Sequence, residues 1–479
     1  MSDHDRYLSP LSTRNASPAM AAIWSPQRKF STWRRLWLAL AESQKELGLD
    51  ITDEQLDQLR SHLDDIDWVT AGQYEKKLRH DVMAHLHTLG DAAPAARAII
   101  HLGATSQFLN CNTDLLLIRD AMRLIAAQLA CAVDALGRFA QQYRDMATLG
   151  FTHFQPAQPT TIGKRAVLWA YDLALALEEI EHRLASLKFR GIKGATGTQA
   201  SFMALFNGDH TKVQKLDELV TAKMGWPIDK RFAATAQTYP RLVDGLVTSS
   251  LAAAAAAAKK FATDMRLLAG AKELQEPFEK DQVGSSVMAY KRNPMRCERI
   301  CGLARFVIGF CAINFTTASE QWLERTLDDS STRRLSLPEP FLALDGVLEL
   351  VINVAGGIVV NDKIIEDNLA AQLPFMATEN LMMAAVTQNG ADRQTVHELI
   401  RKHSHAAAER IVTEATPNDL LGRLAGEPVF QGIDLQAVLN PAQFIGRAPQ
   451  QVDHVIEQVI TPIRKRYAHA LGQCVQLHV

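Results

Sequence analysis

The 479-residue chain carries 51 Lys and Arg against 53 Asp and Glu, and 47% of it is apolar. That near-zero balance supplies no basic excess to release counterions, so nucleic acid is excluded as an expected partner. The length allows roughly two to four domains. The opening stretch MSDHDRYLSP has no basic-then-apolar leader, and no secretory signal is expected. Helix-permissive runs follow at 112–147, 163–188, 242–273, 294–324, 340–359 and 393–414, while alternating β-branched stretches are nearly absent. The expectation is an all-α fold built on a bundle of long helices. Three parts are expected: an N-terminal helical domain (1–106), a central long-helix bundle (107–360) and a C-terminal helical domain (361–479).

Within the bundle, LAAAAAAAKKFATDMRLLA (251–269) combines high helix propensity with little side-chain volume. Neighbours can approach such a helix closely, at a bundle centre or a subunit interface. The run 342–360 has membrane-spanning length but contains Asp345, Glu349 and Asn353. Charges are costly inside a bilayer, so a helix buried among helices is expected and no membrane partner. The six cysteines (Cys111, Cys131, Cys297, Cys301, Cys311 and Cys474) form no CxxC pair and no regular framework. Free thiols in a reducing cytoplasm are expected.

Unusual polar residues gather in the connections. In RHDVMAHLH, His80, His85 and His87 miss the i, i+4 spacing of helical metal ligands, so no metal is expected. Arg79 and His80 read instead as anion contacts, with His85 and His87 packed or at the surface. His153 lies in a proline-punctuated turn, GFTHFQPAQPTT, before a helix starting near 160. Its position suits an acid or base, and equally a histidine satisfying local backbone groups. Gly191, Gly194 and Gly197 lack the strand and lysine of a phosphate-binding loop and read as a flexible connection.

In GSSVMAYKRNP (284–294), Ser285, Ser286, Lys291 and Asn293 share a Gly-led loop that can bend at Gly284 and close over a ligand. Asn293 and Pro294 read as the N-cap and first-turn proline of the next helix, aiming its positive end at the serines. Seven arginines between 292 and 334 could pair with carboxylate or phosphate.

GSSVMAYKRNPMRCE resembles the shared motif of the fumarase, aspartase and argininosuccinate lyase superfamily, closest to its adenylosuccinate lyase branch. SPLSTRNASPAM, RHDVMAH, LGATS, GFTHFQPAQPTT, GATGTQASF, EPFEKDQVGSS, ERTLDDSSTRR, LPFMATEN and GRAPQQV follow in the family's order over nearly the whole chain. The resemblance implies cofactor-free release of fumarate from adenylosuccinate, giving AMP, and from the succinyl-carboxamide ribotide SAICAR, giving AICAR. It makes Ser285 the general base and His153 the general acid, with Lys291 and Asn293 stabilising the developing charge. Substrate contacts carry over to Arg14, Asn15, Arg79, His80, Asp81, Thr105, Ser106, Gln237, Arg299, Arg325, Ser330 and Arg334. It also implies a homotetramer in which three subunits build each active site. Another lyase of the superfamily, such as one acting on argininosuccinate, or a silent scaffold protein, are the alternatives. Two positions depart from the family pattern. Ala289 replaces a usual proline, which frees Met288 and implies a more mobile loop. Asn15 replaces a usual tyrosine, removing an aromatic contact to the nucleotide.

Overall fold

The computed structural model describes residues 5–435 and 437–472; Cys474 lies outside them. Five long helices make the core, numbered here α1 (Ser106–Gln142), α2 (Ile162–Ser186), α3 (Leu242–Gly270), α4 (Met295–Ser319) and α5 (Pro338–Gly356). On α1 the buried residues Leu115, Ile118, Met122, Ile125, Leu129, Ala132 and Leu136 recur every three or four positions. That spacing draws one continuous apolar seam along the helix, which packs on α2 and α5. α3 lies mainly against α4, and also meets α2 and α5. In the alanine run, Ala254, Ala255 and Ala258 are buried, while Ala253, Ala256 and Ala257 line an open groove with Leu175 of α2.

α5 is the membrane-length stretch of the sequence, and its Asp345 is fully buried among core helices. The helix stops at Gly356, and Val359–Val360 then pair antiparallel with Leu274–Gln275. Around the core, helix Pro26–Glu46 brings Trp33, Leu36, Trp37 and Leu40 into the same apolar cluster. A second cluster, from Leu381 to Phe430, is built by the helices Thr378–Asn389, Arg393–Glu414 and Leu420–Ala425. After it, Val452, Ile460 and Ile463 return to the main core.

Two connections differ from expectation. The segment before α2 is a β-hairpin rather than a turn, pairing β1 (Ala147–Thr152) antiparallel with β2 (Gln155–Thr161). Two prolines hid it, because Pro156 and Pro159 stand opposite Phe151 and Leu149. A two-stranded ribbon has only edge strands, and an edge tolerates residues without an N–H. The glycine connection near 190 is held rather than loose. Gly191, Gly194 and Gly197 all adopt positive φ. Asn112 exchanges hydrogen bonds with Gly191 at 3.0 and 3.1 Å, while Arg190 donates to the carbonyls of Gly191 and Gly194.

Candidate active site

Helix Trp68–Leu78 ends on Arg79 in the left-handed region (φ 54°), and the next helix, Asp81–Ala92, starts at once. The sharp reversal puts Arg79, His80 and Asp81 on one rim of a cavity of about 740 Å³. His80 caps the new helix, its Nδ1 accepting the Met83 N–H at 3.4 Å, and its Nε2 lies 3.4 Å from Ser106 Oγ at the start of α1. The other two histidines of that segment face different neighbours. His85 is buried, stacks on Phe30 at 3.7 Å and is pushed by burial down to about 4. His87 stacks on Tyr74.

The opposite wall is the short helix Asp329–Ser336 and the turn before it, which carry Arg325, Ser330 and Arg334. A buried ionic network supports this wall. Asp329 accepts from Arg241 (2.6 Å) and Arg325 (2.7 Å). Arg333 donates to Asp244 (2.7 Å), Asp114 (2.8 Å) and the Tyr239 hydroxyl (2.5 Å), and that hydroxyl donates to Asp244 (2.6 Å). Burial opposes ionisation of Asp329, but Arg241, Arg325 and Arg333 together hold its carboxyl below the ordinary aspartate value. Burial pushes the Tyr239 hydroxyl well up. Arg334 spans the cavity mouth to Asp81 at 3.0 Å. With six Lys and Arg against four Asp and Glu in its lining, the cavity favours an anionic guest.

Arg79, His80, Asp81, Ser106, Arg325, Ser330 and Arg334 are thus brought together. Thr105 and Gln237 are adjacent without lining the cavity. Thr105 is the N-cap residue of α1, and the Gln237 N–H donates to the carbonyl of Glu324, beside Arg325. The supporting residues Asp114, Tyr239, Arg241, Asp244 and Asp329 were not singled out from sequence. The acidic pair inside ERTLDDSSTRR was the one available signal, since buried arginines need carboxylates.

Ser285, Lys291 and Asn293 lie elsewhere, on the loop leading into α4. Ser285 Oγ accepts the backbone N–H of Met288 at 3.1 Å and of Val287 at 3.4 Å. Two amide donors on one hydroxyl oxygen favour its deprotonated form. Gly284 closes the loop, because a Cβ there would sit 2.1 Å from the Lys291 carbonyl oxygen. Asn293 does not cap α4 as expected; its Nδ2 donates to the Gly284 carbonyl at 2.8 Å. Glu276 takes the capping role, each carboxylate oxygen accepting at 3.0 Å, from Arg296 N and Cys297 N. The helix end expected to attract a ligand anion therefore already holds one. Ala289 stands at the loop's exposed tip, between Val287 and Tyr290, which are 87% and 85% exposed.

Arg14 and Asn15 end a helical turn, Leu11–Asn15, that packs on α5. Arg299 lies one turn into α4, and its guanidinium is drawn below its usual range by burial and then by Arg14. His153 occupies a third place. With Phe154 it forms the two-residue tip of the β1–β2 hairpin, both at positive φ (53° and 59°) and both exposed. Hairpins of this kind ordinarily place Asn or Gly at such positions. A histidine and a phenylalanine at these positions carry a strain that Asn or Gly would avoid.

A family profile described as "Lyase" matches residues 28–309, and one described as "Adenylosuccinate lyase C-terminus" matches residues 374–455. The adenylosuccinate lyase of Saccharomyces cerevisiae is 51% identical over 463 residues, covering 96% of this chain and 95% of its own. The chain belongs to the adenylosuccinate lyase family. The Schizosaccharomyces pombe member is 48% identical, with 96% of each chain covered. The solved 3-carboxy-cis,cis-muconate lactonizing enzyme of Pseudomonas putida superposes with a TM-score of 0.82 at 23% identity, covering 96% of this chain and 99% of that one. A fumarate lyase structure from Mesorhizobium sp. BNC1 gives 0.78 at 22% identity, covering 95% and 100%. The all-α, long-helix fold is therefore shared with these two solved structures.

Proposed function

We propose that the protein eliminates fumarate from adenylosuccinate, leaving AMP, and from SAICAR, leaving AICAR, and that it works in the cytoplasm. The observation that carries this is the cation-rich cavity, set in a chain half identical to adenylosuccinate lyases over nearly its whole length. Each substrate presents a phosphate and two succinyl carboxylates, which calls for such a lining.

In this reading Ser285 takes a proton from the succinyl carbon β to the leaving nitrogen. Lys291 and Asn293 stabilise the carboxylate on which negative charge then accumulates. The C–N bond breaks as the C=C bond of fumarate forms, and His153 protonates the departing nitrogen. The two amide donors on Ser285 Oγ support the base role, and the strained, exposed placement of His153 supports its use on a partner.

One chain holds the cavity, the serine loop and the histidine hairpin as three separate groups, and a homotetramer with shared sites would unite them. Support comes from α4, where only 28% of the most apolar 18-residue window is buried. Its Phe306, Ile308, Ile313 and Phe315 are each 37–39% exposed in one chain. Phe306 and Ile313 fall on one side of the helix and Ile308 and Phe315 on the other, and apolar surface of that extent calls for covering partners.

Fumarate release from each substrate by the purified protein tests the reaction. Ser285→Ala and His153→Ala should each lower kcat by roughly 10²–10⁴. Re-associating a mixture of the two inactive variants should restore turnover if each site draws on several chains. Wild-type rates in either variant, or a mixture that stays inactive, would remove the corresponding assignment.

A further inference from the structure

Lys29 belongs to none of the motifs that mark the family resemblance, yet it lines the main cavity. It sits in the first turn of helix Pro26–Glu46, just after the Ser25 cap. Its ammonium lies 5.3 Å from the ring centroid of Phe30 and 5.1 Å from that of Trp33. The charge itself therefore lies over two aromatic faces at the cavity wall.

The acids around it are committed or out of reach. Asp114 pairs with Arg333 at 2.8 Å and Asp81 with Arg334 at 3.0 Å. Glu75, the remaining acid nearby, lies beyond ion-pair distance, as do the other two. Among the described residues, Lys29 and Arg79 are the two cavity cations without a carboxylate partner. Burial also draws the Lys29 ammonium below the usual lysine range, although the side chain stays partly exposed. An arriving anion would supply the opposite charge that the aromatic rings do not.

We propose that Lys29 is a substrate-binding cation that takes one of the substrate's anionic oxygen groups, either its phosphate or a succinyl carboxylate. The inference rests on the reaction proposed above. A wild-type protein that fails to release fumarate overturns that reaction, whereas the Lys29 assignment is read from the variants of an active enzyme.

Lys29→Met should raise KM for both substrates about 10- to 100-fold, the range for a lost hydrogen bond to a charged group, with kcat within a few-fold. Lys29→Arg should recover most of the loss. Inhibition by the products separates the two anions. A weaker AMP constant with unchanged fumarate assigns Lys29 to the phosphate, and the reverse assigns it to a carboxylate. Unchanged KM and unchanged constants for both products, with only the melting temperature lowered, would overturn the proposal. Should Lys29→Met fail to fold, Lys29→Gln read in the same way decides.

Discussion

Asp345 holds Ser17 across 328 positions of sequence, accepting its backbone N–H at 2.5 Å and its hydroxyl at 3.0 Å. The same carboxylate accepts from Gln128 of α1 at 2.8 Å. Burial raises the Asp345 carboxyl above its ordinary range, and these donors pull the other way. One residue along α5, Gly346 lets the chain at Asn15 pack so closely that a Cβ would lie 2.4 Å from the Asn15 carbonyl oxygen. The Arg14–Asn15 turn is thereby seated on the core. Asp345→Ala strands three donors and should cost roughly 1–3 kcal/mol in urea unfolding. It should also raise KM several-fold as Arg14 loosens, and a wild-type KM would disconnect this anchor from substrate binding.

Glu349, one turn further along α5, is raised from 4.5 to about 7, first by burial and then by Asp345. Its proton is therefore held more tightly in the folded state than in the unfolded chain. Between 4.5 and about 7 the folded protein keeps a proton that the unfolded chain has lost, so stability falls as pH rises through this window. Glu349→Gln should remove that slope. Stabilisation on the order of 1–2 kcal/mol near pH 8, vanishing toward pH 4, is expected after allowing for its partial exposure. Melting curves at the two pH values check it.

Arg333 ties Asp114, Asp244 and Tyr239 beneath the cavity, and it is only 7% exposed. Arg333→Met would leave buried carboxylates without their counter-charge, a change that costs about 3–5 kcal/mol. The loss should appear as a lower urea midpoint. Arg334→Met, at an exposed position one residue along, should instead leave the midpoint within about 0.5 kcal/mol of wild type and act on KM.

Gly284→Ala tests the serine loop with the smallest change available. The added methyl meets the Lys291 carbonyl oxygen at 2.1 Å, so backbone must move, and Ser285 moves with it. A displacement near 1 Å at a reacting group costs on the order of 10² in rate. The expected result is a kcat lowered by about that factor. Gly284 itself is buried, but residues 286–290 are exposed and can shift to relieve the contact, so the melting temperature should change little. An unaltered kcat would show that the Gly284–Lys291 contact does not set the position of Ser285.

The long helices were legible because their signal is local and repeated. The seam from Leu115 to Leu136 recurs with the helical period, and the predicted helix 393–414 coincides with Arg393–Glu414. The hairpin before α2 was not legible, since Gln155–Thr161 carries two prolines and little strand propensity. The cap of α4 was misread for a different reason. Asn293 has the right chemistry beside Pro294, but Glu276, some twenty residues upstream, reaches the helix end first.

By itself, then, the sequence determined the helical architecture and, through the order of its polar motifs, the family and the residue types of the site. Those properties follow from neighbours a few positions apart, or from motifs read one at a time. Only the tertiary structure decided that Arg79, Ser106, Arg325 and Arg334 share one cavity while Ser285 and His153 stand outside it. It alone placed Lys29 among them and left its charge without a carboxylate partner among the described residues. The physical reason is that charge pairing and burial depend on distance in space. No pattern along the chain records which carboxylate a distant arginine will find.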